Sequence, residues 1–334
     1  MGSINVLILS AGRRVELVKC FKNARDRLGI KGIVAAGDAS ELAPALYYAD
    51  EKVIFPRIDS GRYVEAVIEA CKRFKADLCV PTIDTELLLL SEERERIEKE
   101  TGCRVLICDK RVISICRDKR NTQRFMEENG FLMPHLYTEE ELSRGEVSFP
   151  LFIKPVDGSS SIDTYRADNE NELRSALARV KDPMVQDYME GEEYTIDVFL
   201  DFDSNIISIV PRIRLAVRSG EIAKGRIVKD AAIEADVRRL MEILRPTGHI
   251  TIQLRKTQRG LEYIEINPRF GGGAPMSIMA GADSCEYLYR LLRGEKSIQN
   301  CGYRDGLTFL RFDACVALDE NGEAVYAENC SVRS

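Results

Sequence analysis

The hydrophobic positions of this chain change rhythm about a third of the way along. Up to residue 115, short apolar runs at Ile4–Ser10, Gly32–Ala36, Lys52–Phe55, Leu78–Val80 and Arg104–Cys108 alternate with helical patterns at Val15–Leu28 and Tyr63–Phe74. Strands separated by helices predict parallel βαβ units in a doubly wound sheet. Such sheets gather ligands at the carboxyl ends of their strands, here Ser10–Arg13, Asp38 and Thr82–Glu86. The same polar residues suit simple capping of the helices that follow, and the pattern alone leaves both readings open.

Beyond residue 115 the pattern is mixed. A charged helix spans Arg117–Asn129, Gly130 ends it and Pro134 follows. An apolar run at Phe149–Pro155 leads to a Gly-Ser loop at 158–161 and a helix from Asn169 to Val180. Strands then dominate at Met184–Tyr188, Tyr194–Leu200, Ile206–Arg214, Ile250–Leu254 and Leu261–Ile266, interrupted by a helix at Ala231–Leu244. This predicts an α/β N-terminal domain over residues 1–115 and an α+β unit over 116–300. The second unit divides into subdomains at about 116–185 and 186–300, and a C-terminal strand segment covers 301–334.

Composition narrows the chemistry. The 334 residues are 45% hydrophobic and 31% charged, with a net charge of −6, so no overall positive field draws the chain to nucleic acid. No apolar run approaches the roughly 20 residues that span a bilayer, and the N-terminus reads as a first strand, not a leader. The ten cysteines are scattered without a CxxC, which predicts reduced thiols in a cytoplasmic protein. Only His135 and His249 are available, and neither sits in a triad or zinc motif. The chemistry therefore falls to Lys, Arg, carboxylates and a hard cation. Ser10–Arg14 holds one glycine where the dinucleotide turn needs three, and no phosphate loop of the form GxxxxGK[ST] occurs.

The richest segment is Ile250–Gly273. Glu265 and Asn267 are two apart, so a strand points both to one face. Gln253, read as the end of the preceding strand, can sit opposite them in a hairpin. One carboxylate and two amide oxygens suit Mg²⁺, and Arg269 on the same face suits a transferring phosphoryl group. A solvated strand face with a Pro-Arg turn is the alternative. Lys154 inside an apolar strand is costly unless it is paired or ligand-facing. Arg212 and Arg214 share a strand face and suit a carboxylate or its acyl phosphate, or else flank a solvated hairpin. The Asp157–Ser161 loop offers amides and the hydroxyls of Ser159, Ser160 and Ser161 to phosphates, unless it is a plain surface loop.

Glu-Ile-Asn-Pro-Arg-Phe-Gly-Gly-Gly at 265–273, with a glutamine twelve residues before the glutamate, resembles the metal-binding signature of the ATP-grasp superfamily. The chain looks most like single-unit proteins similar to the carbamoyl-phosphate synthase large chain. The segments at 10–17 and 81–87 resemble turns of the pre-ATP-grasp domain in those proteins. The resemblance implies metal ligands Gln253, Glu265 and Asn267, and phosphate-binding Lys119 and Lys154. It implies an adenine-reading hinge at Gln186, Asp187 and Tyr188, and a ribose-binding acid at Glu193, within a run that matches the family's Gly-x-Glu-Tyr-Thr. The implied activity is an ATP-dependent carboxylate–amine ligase working through an acyl phosphate and releasing ADP, with ATP and Mg²⁺ (Mn²⁺ as the alternative ion). Arg269, Arg214 and Arg212 would stabilise charge in flight. Its partners would be a small-molecule carboxylate and an amine, with no nucleic acid or membrane, and a homodimer is left open. A carbamoyl-phosphate-forming enzyme and a non-catalytic ATP-binding sensor subunit remain alternatives.

Overall fold

The structure, a computed structural model, describes residues 2–157, 162–218, 220–300 and 302–327. Ser159, Ser160 and Ser161, expected to meet phosphates, lie outside the described residues. The chain opens with β1 (Val6–Ile8), α1 (Val15–Arg27), β2 (Val34–Asp38), β3 (Glu51–Ile54), α2 (Tyr63–Phe74), β4 (Leu78–Val80), α3 (Asp84–Thr101) and β5 (Arg104–Val105). These five strands form one parallel sheet in the order β3-β2-β1-β4-β5. Val6 and Ile8 pack on one side with Val18 and Phe21 of α1, while Leu7 and Leu9 pack on the other with Val67 and Leu90. Both faces are covered, which is why the runs read as continuously apolar.

The strand order reverses between β1 and β4, so the turns that follow them flank a crevice. Glu86 ties those turns together. Its carboxylate accepts from Ser10 Oγ at 2.7 Å, Tyr63 Oη at 2.5 Å and the Thr82 amide at 2.8 Å. Glu86 thus serves the capping reading of this segment, and Asp38 likewise braces its turn by accepting from the Gly12 amide at 2.8 Å.

Next come α4 (Lys110–Arg117), α5 (Lys119–Glu128), α6 (Glu139–Arg144), β6 (Leu151–Pro155), β7 (Tyr165–Ala167), α7 (Glu170–Leu177) and β8 (Pro183–Asp187). The expected helix at 117–129 is broken at Asp118, whose extended backbone and side chain cap α5 through the Arg120 and Asn121 amides. The break turns Lys119 out of α4 and into the first turn of α5. Strands β7-β6-β8 form a small antiparallel sheet. Leu151 and Ile153 of β6 face its own core with Leu173 and Val185, so Phe152 and Lys154 face the other way.

The remaining elements are β9 (Glu192–Leu200), β10 (Ile206–Arg218), β11 (Glu221–Ile227), α8 (Ala231–Leu244), β12 (Gly248–Thr257), β13 (Gly260–Asn267), α9 (Ala274–Met279), α10 (Ser284–Leu292), β14 (Thr308–Leu310), β15 (Val316–Leu318) and β16 (Ala324–Ala327). Six of these strands make an antiparallel sheet ordered β13-β12-β9-β10-β11-β14. Alternation along β9 sends Tyr194, Ile196, Val198 and Leu200 into a core shared with α8, and Glu193, Thr195 and Asp197 to the opposite face. Gln253 lies inside β12, not at its end, and pairs directly with Glu265. Strand β11, which pairs antiparallel with β10 and β14, lies where no strand was expected.

Leu240 of α8 is fully buried in the core beneath the large sheet. Leu240→Ala is expected to cost about 2–5 kcal/mol, read as a lower urea midpoint. A midpoint equal to wild type would show that α8 does not anchor this sheet.

Candidate active site

A cavity of about 680 Å³ lies between the two sheets and the N-terminal unit. Its floor is the polar face of the large sheet, where strand register lays side chains out in rows. One row runs Glu265, Gln253, Thr195, Arg212 across four strands. The next sets Arg255 and Glu193 side by side, with Arg214 Nε 2.9 Å from Glu193 and Arg255 Nη2 2.8 Å from it. A bulge between Gln253 and Leu254 leaves Ile264 without a partner, so Ile264 and Glu265 both face the cavity.

Gln253 Nε2 and Asn267 Nδ2 each donate to Glu265 Oε1 at 2.8 Å. These three side chains converge as expected, leaving two amide oxygens and the second carboxylate oxygen turned to the cavity. Lys119 and Lys154 approach from the facing wall. Lys154 is 5% exposed, and its side chain has no ion pair or hydrogen bond among the described residues. Burial first, then Lys119 beside it, brings its ammonium down to about 8 against the pull of Glu265. Lys119 is also lowered by burial, against Glu265, and donates to the Val156 carbonyl at 3.1 Å.

Arg212 is nearly inaccessible. Its Nη1 donates to Asp197 Oδ2 at 2.5 Å and to the Gly273 carbonyl at 3.0 Å. Burial pushes the Asp197 carboxyl up, but Arg212, His249 and Ser277 outweigh it and hold the group well below the usual carboxylate range. The glycine turn lies directly on this pair. A Cβ on Gly273 would meet Arg212 Nη2 at 2.6 Å, and one on Gly271 would meet Thr251 Oγ1 at 2.7 Å. Arg269 pairs with Asp84 of the N-terminal unit at 2.6 Å, and its buried Nε has no hydrogen-bond partner among the described residues.

Comparisons with known proteins bear on the family and the fold that hold this cavity. Residues 6–106 match a family model described as a PylC-like N-terminal domain, and residues 179–312 match one described as ATP-grasp in the biosynthetic pathway with Ter operon. The chain is an ATP-grasp protein. It is 32% identical over 116 residues to a D-alanine–D-alanine ligase of Fusobacterium nucleatum, covering 34% of this chain and 37% of that one. It is 27% identical over 226 residues to a carbamoyl phosphate synthase large chain of Thermomicrobium roseum, covering 62% and 21%. The chain thus spans less than half the length of these relatives. In fold it resembles the biotin carboxylase domain of a Hydrogenobacter thermophilus 2-oxoglutarate carboxylase, solved with MgADP, ADP and bicarbonate (TM-score 0.70, 17% identity, 92% of this chain and 74% of that one). It also resembles an L-amino acid ligase from Bacillus licheniformis (TM-score 0.65, 19% identity, 88% and 75%).

Within this ATP-grasp fold, three of the expected positions behave differently from the sequence reading. Gln186 is 1% exposed, does not line the cavity and donates to Gln123 at 2.9 Å. The Asp187 side chain instead accepts from Tyr137 Oη at 2.7 Å. The Asp187 and Tyr188 amides are already taken by the carbonyls of His135 and Pro150, both at 3.1 Å. Tyr188 contributes its ring to the wall, and the next residue, Met189, lines the cavity with an amide that bonds nothing among the described residues. Met189, Arg255, Arg14, Asp84 and Glu221 were not singled out as site residues. Asp84 sits at a strand end already flagged as ligand-gathering, whereas Glu221 and Arg255 carry no local signal. No helix among the described residues is long and apolar enough to cross a membrane.

Two substitutions test these electrostatics without any ligand. A lysine with a lowered folded pKa penalises folding below about pH 8, and the penalty fades as pH rises towards the unfolded value near 10.5. Lys154→Met is therefore expected to melt higher than wild type at pH 7, by on the order of 2–3 kcal/mol, with the gap closing by pH 10. A lower melting temperature at pH 7 would place a compensating partner on this lysine. Arg212→Met strands a buried Asp197 and is expected to cost about 3–5 kcal/mol in chemical denaturation. A loss under about 1 kcal/mol, the scale of an exposed pair, would show the pair to be solvated.

Proposed function

We propose that this protein is an ATP-dependent carboxylate–amine ligase that works through an acyl phosphate and releases ADP and phosphate. The carrying observation is the partnerless Lys154 facing Glu265, Gln253 and Asn267 across one cavity. A buried cation without a protein partner is costly, and an anionic ligand supplies the missing partner. One carboxylate and two amide oxygens are hard donors that fit Mg²⁺, or Mn²⁺, alongside waters and phosphate oxygens. When bound there, the ion supplies neutralisation of charge shared between phosphate oxygens.

This chain's own residues do the rest. Lys119 and Lys154 hold the phosphates, and Glu193, steadied by Arg214 and Arg255, accepts from the ribose hydroxyls. The Met189 amide is the free backbone donor for the base, with the Phe152 and Tyr188 rings beside it. A substrate carboxylate oxygen bonds to the γ-phosphorus as the bond to ADP breaks. Arg269 neutralises the transferring group through its unpaired Nε side. The amine then attacks the acyl carbon, phosphate leaves with the C–O electron pair, and the amine's proton goes to solvent. No protein nucleophile is required. His249 is buried against Phe270, and His135 pairs with Glu141 away from the cavity.

The test is ADP release across a panel of small acids and amines, including bicarbonate with ammonia. Turnover is expected with an organic acid and an amine, and is expected to be lost in Glu265→Ala with the fold retained. Lys154→Met is expected to weaken ATP binding or rate about 10- to 150-fold, and Asp187→Ala far less. Turnover only with bicarbonate and ammonia would make it a carbamoyl-phosphate-forming enzyme, and tight ATP binding with no turnover a sensor. Wild-type turnover in Glu265→Ala would remove the metal assignment.

A further inference from the structure

The guanidinium of Arg269 is tied down without being satisfied. Its Nη2 donates to Asp84 Oδ2 at 2.6 Å and its Nη1 to the Phe270 carbonyl at 3.4 Å. A guanidinium carries five N–H groups in one plane. The short bond and the longer one together limit how that plane can turn, while Nε keeps no hydrogen-bond partner among the described residues. The carboxylate that makes the short bond lies 185 positions away along the chain, in the N-terminal unit.

Asp84 opens α3 behind a turn that is itself firmly bonded. The amides of Thr82 and Ile83 donate to Glu86 Oε1 at 2.8 and 3.2 Å. Thr82 Oγ1 donates to the carbonyls of Leu9 and Ser10 at 2.9 and 2.8 Å, and Arg14 Nη2 donates to the Thr82 carbonyl at 2.7 Å. A short acidic side chain at a helix start commonly accepts from the free backbone amides there. Asp84 accepts from none of them, and its one partner among the described residues is Arg269. The pair is not needed to join the two units, because Phe21 already packs edge-on against Phe270 and Tyr289 in a shared apolar core. Asp84 and Arg269 are instead 18% and 14% exposed, and both line the cavity.

We infer that Asp84 is a positioning residue for phosphoryl transfer, setting the Arg269 guanidinium in place before the nucleotide arrives. This rests on the ligase reading for the chemistry, and adds that the N-terminal unit acts in the phosphoryl step itself. A long arginine side chain loses rotamer freedom when it is fixed. Asp84 moves that loss into folding, so the reacting complex does not bear it. The N–H groups that Asp84 and Phe270 leave unused remain for the phosphoryl oxygens.

Calorimetry on the full chain with MgADP, alone and with aluminium fluoride as the mimic of a phosphoryl group in transfer, tests this. Arg269→Lys is expected to weaken the aluminium fluoride complex about 100-fold, and Asp84→Asn about 10- to 100-fold. MgADP alone is expected to bind each variant within about twofold of wild type. Asp84→Glu is expected to recover part of the loss, and Asp84→Ser takes the place of Asp84→Asn should the latter fail to fold. Because Asp84 acts through Arg269, the double variant is expected to bind the mimic within about twofold of Arg269→Lys alone. Losses that multiply in the double variant, an unaffected Asp84→Asn, or tighter binding of the mimic to Asp84→Asn would each overturn the inference. The ligase reading survives those outcomes, because wild type still takes up the mimic. If aluminium fluoride adds nothing to MgADP binding by wild type, both fall.

Discussion

The Asp197–Arg212 ion pair lies under everything the site does. Both side chains are all but inaccessible, and together they satisfy the Gly273 carbonyl and the Ser277 hydroxyl at the head of α9. A buried pair of this kind adds little net stability, but removing either partner strands a charge. What it determines is position. The turn at 271–273 must lie flat on Arg212 and Thr251, which is possible only without side chains. That turn carries the chain from β13 to α9 and follows directly on Arg269, while register with β12 places Glu265 and Asn267.

Around that anchor the cavity keeps its charges in two states. Glu193, Arg214, Arg255, Asp84 and Arg269 are paired within the protein, which holds their side chains in place in advance. Lys154 and Arg14 are cations without an ion-pair partner among the described residues, both lowered by burial. Paired groups shape a site, while unpaired buried ones are where a ligand returns the most free energy. Both of these cations line the cavity.

The N-terminal and large sheets are held as one structure by apolar contacts as well as by charge. Phe21 of α1 meets Phe270 and Tyr289 edge-on, with ring centroids 5.9 and 6.2 Å away. These contacts sit beside the glycine turn, so the N-terminal unit is positioned to wall the cavity. Arg14 and Asp84 enter the site only because of that packing.

The amino-acid sequence by itself determined most of the element types, the change from parallel α/β to α+β, and the shared strand face of Glu265 and Asn267. Those features are local: apolar periodicity reports which face is buried, and residues two apart on a strand share a face. Lys154 was legible for the same reason, as a charge inside an apolar run. What only the tertiary structure decided depends on register and on contacts distant in sequence. The bulge at Ile264 breaks the alternation that periodicity assumes, and the Asp118 cap splits what reads as one helix. The hinge amides of Asp187 and Tyr188 are occupied by His135 and Pro150, which no local pattern around residue 187 announces. Arg212 reads like Arg214 in the sequence, yet one is buried against Asp197 and the other braces Glu193. Arg14 and Glu221 are some two hundred residues apart and line one cavity only when the two sheets close on it, because charge acts through space and not along the chain.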